Sequence, residues 1–192
     1  MNKKTRLIFT NTVLCFSLIL AYIPVSHAEP EGFFSWLITL ERRKGVKPVT
    51  DETYNEECGS CHFAYQPGLL PEASWQKLLT RQALEKHFGE TAELDEQTRK
   101  HILALTIEDS AEKSRYKRSK KIMASLEENE APLRISKVRY LQDKHEEVYE
   151  KVVKNSKKIK SMSLCDDCHQ KAKLGIFDDD TVVIPDYGRW TW

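Results

Sequence analysis

The sequence predicts a mainly α-helical, compact fold with little β-strand. Apolar side chains recur every three or four residues in several segments between residues 74 and 153, as expected for helices that bury one face. Strand-like patterning is confined to residues 181–184, which is too little for a sheet. Two motifs of the form C-x-x-C-H each fit about one helical turn, so we expect a short helix at each.

Two longer helices are predicted after the first motif. One begins at Ser74 and continues through His87 and Phe88, with Gly89 as its C-terminal stop. The other has Asp95 as its N-cap and carries apolar side chains at residues 102–105. This part of the chain is therefore expected to be helical, with loops between the helices.

Two further helices are predicted before the second motif. The first spans Glu108 to Leu126 and ends in a glutamate-rich turn before Pro132. The second runs from about Ser136 to Val153. Residues 175–185 are predicted to be a loop, with a short strand at 181–184.

The two C-x-x-C-H motifs predict two covalent haem c groups. They are Cys58-Gly-Ser-Cys61-His62 and Cys165-Asp-Asp-Cys168-His169. In such a motif the thiols add to the vinyl groups of the haem, and the histidine binds the iron as its proximal ligand. The two copies use every cysteine outside the N-terminal segment, which chance does not explain well.

Two other uses of C-x-x-C have to be weighed. A thioredoxin-like redox pair does not require a histidine at the next position, and no βαβ pattern surrounds either motif. A zinc site made from all four cysteines would leave both histidines unexplained. Haem attachment accounts for every cysteine and histidine of both motifs.

Residues 1–28 have the pattern of a secretory signal peptide. Lys3, Lys4 and Arg6 precede the apolar stretch Leu7–Ile23, and small residues come before a predicted cut after Ala28. The alternative is an uncleaved membrane anchor, because this stretch is at the short limit for a membrane span. The prediction is an exported, periplasmic domain of residues 29–192, with at most peripheral contact with a membrane.

The charge of the chain is nearly balanced. It has 30 basic and 29 acidic residues; residues 1–28 hold three of the basic ones and no acidic one, so the remainder carries a net −2. Nothing here suggests nucleic-acid binding. Two basic runs, 113–121 and 151–160, are each either a solvated face or a surface that steers a redox partner.

The second axial ligand of each iron has to come from the remaining side chains. His87, His101 and His145 are the other histidines of residues 29–192. His145 is the strongest candidate, because it lies on the apolar helical stripe 138–141–145–148–152, where a buried imidazole needs a partner. Periodicity alone leaves His87 and His101 both open as the other ligand.

Several longer elements resemble the dihaem cytochrome c family. They are Pro48–Tyr54, Glu57–Pro71, Ser74-Trp75, His87-Phe-Gly-Glu90, Leu133–Ile135, Lys144-His145-Glu146 and Gly175–Asp180. The resemblance implies a compact helical fold with two neighbouring bis-histidine haems, with His87 as distal ligand of the first and His145 of the second. It also implies a membrane b-type cytochrome and a small oxygen-binding monohaem cytochrome c as redox partners.

Two histidines on each iron predict an electron carrier rather than an enzyme. No position stays open for oxygen or peroxide, and the methionine thioether that raises haem potentials is missing, so low potentials follow. The alternative is a dihaem peroxidase or reductase, or a haem-based gas sensor, with one open iron.

We expect an N-terminal haem lobe at about 46–106, a C-terminal haem lobe at about 130–185 and a basic helical connector at about 108–126.

Overall fold

The computed structural model describes residues 44–159 and 161–190, and these form a mainly helical fold, as predicted. The α-helices are α1 (Glu52–Gly59), α2 (Glu72–Leu78), α3 (Arg81–Glu85), α4 (Glu96–Glu108), α5 (Lys117–Ser125), α6 (Arg139–Lys151) and α7 (Cys165–Cys168). Short 3-10 helices lie at Pro67–Leu69, Ile135–Lys137, Val153–Asn155, Ala172–Leu174 and Asp179–Thr181.

The prediction of one helix from Ser74 to Phe88 is wrong, because the segment folds as α2 and α3. Thr80 separates them: its hydroxyl accepts a hydrogen bond from the Ala83 amide and so caps a new helix. The second helix then ends at Glu85, and Phe88 and Gly89 have φ values of 55° and 109°. His87 therefore lies in a turn after α3 rather than on a helix.

The helix predicted from Asp95 is confirmed, whereas the helix predicted from Glu108 starts later than expected. Helix α4 begins after Asp95, whose carboxylate accepts hydrogen bonds from the Gln97 and Thr98 amides, and this confirms the predicted N-cap. It continues to Glu108, where a separate helix was predicted to begin. Residues 109–116 are turns and irregular backbone, and α5 begins only at Lys117.

The helix predicted at 136–153 is confirmed in its main part as α6, and its apolar stripe faces two clusters of buried side chains. Val138 and Leu141 belong to the large cluster, which extends through α1, α2, α4 and α5. Val148 and Val152 are partly buried against the small cluster of Ile159, Val182, Ile184 and Trp190. Helix α6 thus connects the two clusters and carries His145 between the two ends of its stripe.

The motif helices and the strand are confirmed only in part. Helix α7 coincides with the second cysteine pair, whereas α1 contains Cys58 and ends before Cys61. The strand is β1 (Val183–Ile184), and it pairs antiparallel with β2 (Gly188–Arg189), which was not predicted.

Some predictions fall on other parts of the chain. The predicted signal peptide and cleavage site lie outside the described residues, and the structure does not test the lobe boundaries. Within residues 44–159 and 161–190, no helix has the length and apolar character needed to span a bilayer.

Candidate functional site

The first site consists of the His62 and His87 rings. Their centroids are 6.3 Å apart and their planes differ by 20°. His62 is positioned by the end of α1, and His87 by the turn after α3, where Phe88 and Gly89 both have positive φ. The glycine relieves part of the strain of that turn, because it has no side chain to clash there.

The second site consists of the His145 and His169 rings. Their centroids are 6.0 Å apart, but here the planes differ by 79°. His145 comes from the middle of α6, and His169 directly follows α7. The structure thus brings each motif histidine together with one further histidine.

Both separations suit a metal ion held between two imidazoles. A bond of about 2 Å on each side, together with the distance from ring nitrogen to ring centre, places the two centroids about 6 Å apart.

Hydrogen bonds to two of the rings also favour metal binding. Nδ1 of His62 lies 2.8 Å from the Phe63 carbonyl oxygen, and Nδ1 of His145 lies 2.6 Å from that of Leu141. A carbonyl oxygen can only accept a hydrogen bond, so the ring proton is on Nδ1. The lone pair of Nε2 is then left for a metal.

The protonation equilibria of three of these rings also suit metal binding. Burial is the main cause that lowers the pKa of His87, His145 and His169, the last to about 4. The second-largest cause at His87 and at His169 is the other histidine of the pair. These rings are therefore neutral near pH 7, and neutral imidazole is the form that binds a metal.

The thiols of the two motifs do not resemble a disulfide-exchange site. Cys58, Cys61, Cys165 and Cys168 are all unpaired thiols. Burial raises the pKa of Cys58 and of Cys165 to about 12, whereas a redox-active pair depends on a lowered thiol pKa. The thioredoxin-like alternative is therefore disfavoured.

A structural zinc site is not supported either. Within the part of the chain that the structure describes, no three His, Cys, Asp or Glu side chains converge in a way that could hold a metal ion. A structural zinc needs four such ligands. The geometry instead offers two separate imidazole pairs, each beside two thiols.

Comparison with known proteins identifies this arrangement. Residues 54–177 match the family model described as dihaem cytochrome c. The chain belongs to the dihaem cytochrome c family. It is 35% identical to a diheme cytochrome type c from Shewanella baltica OS155, with 73% of this chain and 97% of that one covered and a TM-score of 0.60. It is also 35% identical to a diheme cytochrome c from Rhodobacter sphaeroides, with coverages of 69% and 100% and a TM-score of 0.57. A search of curated proteins gave no match.

The cofactors of this cytochrome are two haem c groups, and it is a haem protein of electron transport. The side chains present fit them: each site combines two thiols for covalent attachment with two imidazoles that approach at a metal-binding separation.

The other candidate ligands lie elsewhere. His101 is on α4, where its Nε2 is 2.8 Å from Oδ2 of Asp51 and about half of the side chain is exposed. Met123 packs against the large cluster. Of the two candidates that periodicity left open, the structure therefore brings His87, and not His101, to His62.

Each site also has a phenylalanine and an arginine that the sequence did not reveal. At the first site, Phe88 lies 4.8 Å from the His87 ring and Cζ of Arg134 lies 3.9 Å from the Phe88 centroid. At the second, Phe177 lies 5.3 Å from the His169 ring and Cζ of Arg118 lies 5.2 Å from the Phe177 centroid. Only Phe88, next to His87, could have been suspected; both arginines reach their site from a different element.

Tyr65 connects the two motifs. Its ring lies 5.0 Å from the His62 ring, and its hydroxyl donates a hydrogen bond to the Ser163 carbonyl, just before α7. Burial, followed by the nearby Cys165, raises the pKa of Tyr65 to about 12. The phenol therefore remains a proton donor in this position.

Proposed function

We propose that this protein is an exported, periplasmic carrier of single electrons at low potential. In this proposal His62 and His87 are the axial ligands of the first haem, and His169 and His145 those of the second. The covalent attachment sites are Cys58 and Cys61 for the first haem and Cys165 and Cys168 for the second. The observation that carries the proposal is that each motif histidine is opposed by another imidazole 6.0–6.3 Å away.

The residues around each iron define what the protein does. When bound, each haem accepts and releases one electron. With both imidazoles of a pair bound to its iron, no position would be left for oxygen, nitrite or peroxide to bind. Since neither pair includes a thioether, the ligands favour low reduction potentials.

The competing function is a dihaem peroxidase or reductase, or a gas sensor, with one open iron. It requires that His87 or His145 swing away from its partner. His145 is held by α6 and by its hydrogen bond to Leu141. His87 lies beside Phe88, which Arg134 covers. These contacts favour the carrier.

For the redox partners we propose a membrane b-type cytochrome and a small oxygen-binding monohaem cytochrome c. The basic run at 113–121 supports docking by charge. Arg115, Lys117 and Lys120 are exposed and form no ion pair with another described residue. In the run at 151–160, by contrast, the structure pairs three lysines: Lys151 with Glu147, Lys154 with Glu150, and Lys158 with Asp186. Among the described residues, the first run therefore presents three unpaired, exposed cations that can attract an acidic partner.

Carbon monoxide addition to the fully reduced protein tests the proposed function. Two six-coordinate haems predict almost no change in the visible spectrum. A large change that involves one of the two haems would show an open iron and would favour the enzyme or sensor instead.

A further inference from the structure

Arg118 is a positively charged side chain that contacts the second haem site through Phe177. It lies on α5, far along the chain from both cysteine motifs. Its Nη2 donates a hydrogen bond of 3.1 Å to the Phe177 carbonyl, and its guanidinium lies over the Phe177 ring. That ring in turn lies against His169. One side chain thus joins the connector helix to the proximal ligand of the second haem.

The guanidinium also has a buried donor without a partner. Within the described residues, Nε of Arg118 is buried and makes no hydrogen bond. Buried donors of this kind normally find an acceptor, and a carboxylate is the strongest acceptor for an arginine. Haem c carries two carboxylates, so the unsatisfied donor fits a group bound at this site.

The positive charge of Arg118 is held close to the proximal side of the second site, because the Phe177 ring contacts both the Arg118 guanidinium and the His169 ring. Arg134, at the first site, is exposed to solvent, which screens its charge.

We propose that Arg118 is the cation that raises the reduction potential of the second haem. A fixed positive charge beside the site disfavours the ferric state, which has one more positive charge than the ferrous state. The inference rests on the proposed bis-histidine ligation. It favours electron transfer toward the second haem, because the charge makes that haem easier to reduce than it would be without Arg118.

The test is redox titration of the complete haem-loaded protein and of Arg118→Gln, followed through the low-spin signal of each haem. In the variant the reduction equilibrium of the second haem should shift on the order of tenfold toward the oxidised form, which is about 59 mV for one electron. The first haem should be unaffected. Arg118→Lys keeps the charge and should remain near the wild-type value.

Arg134→Gln is the matched control, because it removes the exposed arginine of the other site. It should leave the second haem unchanged and shift the first by less than Arg118→Gln shifts the second. If Arg118→Gln keeps both low-spin haems and both wild-type potentials, Arg118 is only a structural contact and the proposal is wrong.

Two further outcomes remain decisive. If Arg118→Gln does not retain its haems, Arg118→Lys decides. A wild-type potential of the second haem in this variant supports the role of charge. A tenfold shift of its reduction equilibrium toward the oxidised form contradicts it. A wild-type protein that binds carbon monoxide would contradict the proposed function instead, so the two failures can be told apart.

Discussion

The two haem sites contain the same types of side chain but place them in different surroundings. Each site combines two imidazoles with a phenylalanine and an arginine. At the first, the phenylalanine is Phe88, 44% exposed, and the two rings are nearly parallel; at the second it is Phe177, 7% exposed, and the rings are nearly perpendicular. One chain can therefore repeat a ligand set and still give its two irons different environments. Burial and nearby charge are two of the means by which proteins tune haem potentials.

The largest expected effect is the loss of one distal ligand, which should affect one haem only. His87→Ala should make the first haem high-spin and able to bind carbon monoxide, while the second stays low-spin; His145→Ala should do the reverse. Visible and magnetic spectra of the oxidised and reduced proteins would show this.

His101→Ala is the matched control for both variants, because it removes a histidine that is hydrogen-bonded to Asp51 instead of facing another imidazole. It should leave both low-spin signals intact. If it made one haem high-spin, the proposed assignment of His87 would be wrong.

A smaller effect is expected from the contact that joins the two regions. Tyr65→Phe removes the hydrogen bond from the phenol to the Ser163 carbonyl and leaves that partly buried acceptor without its partner. The free energy of unfolding should fall by about 1 kcal/mol, measured by chemical denaturation of the haem-loaded protein.

Tyr140→Phe is its control, because the ring of Tyr140 packs under Lys121 and that contact does not depend on the hydroxyl. It should change stability much less. Equal losses in the two variants would mean that the bond across the two motifs adds nothing.

The smallest expected effect is a pH dependence of the stability that originates at the start of α4. Hydrogen bonding to Arg99 lowers the pKa of Glu96 from 4.5 to about 2. A carboxylate with a lowered pKa in the folded state stabilises the fold above its unfolded pKa, and this contribution is lost as the pH falls through the folded value. The wild-type protein should therefore lose stability between about pH 4.5 and pH 2 more steeply than Glu96→Gln.

Glu128→Gln is a suitable control, since Glu128 is exposed and forms no ion pair with the rest of the described chain. Its stability should follow the wild-type pH curve. If Glu96→Gln followed that curve as well, the ion pairs at the start of α4 would not contribute.

The helical class and the residues of both motifs could be predicted from the sequence because they depend on local patterns. The apolar stripe made His145 the strongest candidate for a further ligand in the same way, and the structure places it beside His169. The break at Thr80 could not be predicted, since the apolar spacing continues through it and only the capping bond to Ala83 interrupts the helix. That break moves His87 off a helix and into the turn that faces His62.

The arginines show a second limit of local patterns. Arg118 lies in a basic run, which usually indicates only a solvated surface. Its contact with Phe177 joins residues 59 positions apart, and no spacing rule reports a contact over that distance. Partners of this kind depend on the tertiary fold.

Electron paramagnetic resonance of the oxidised, haem-loaded protein tests the central claim most directly. The electronic structure of a bis-imidazole haem depends on the angle between its two ring planes, and that angle is 20° at one site and 79° at the other. We predict two low-spin signals of different shape, one rhombic and one strongly anisotropic, with equal intensity. A high-spin signal from either haem would contradict paired histidine ligation at both irons.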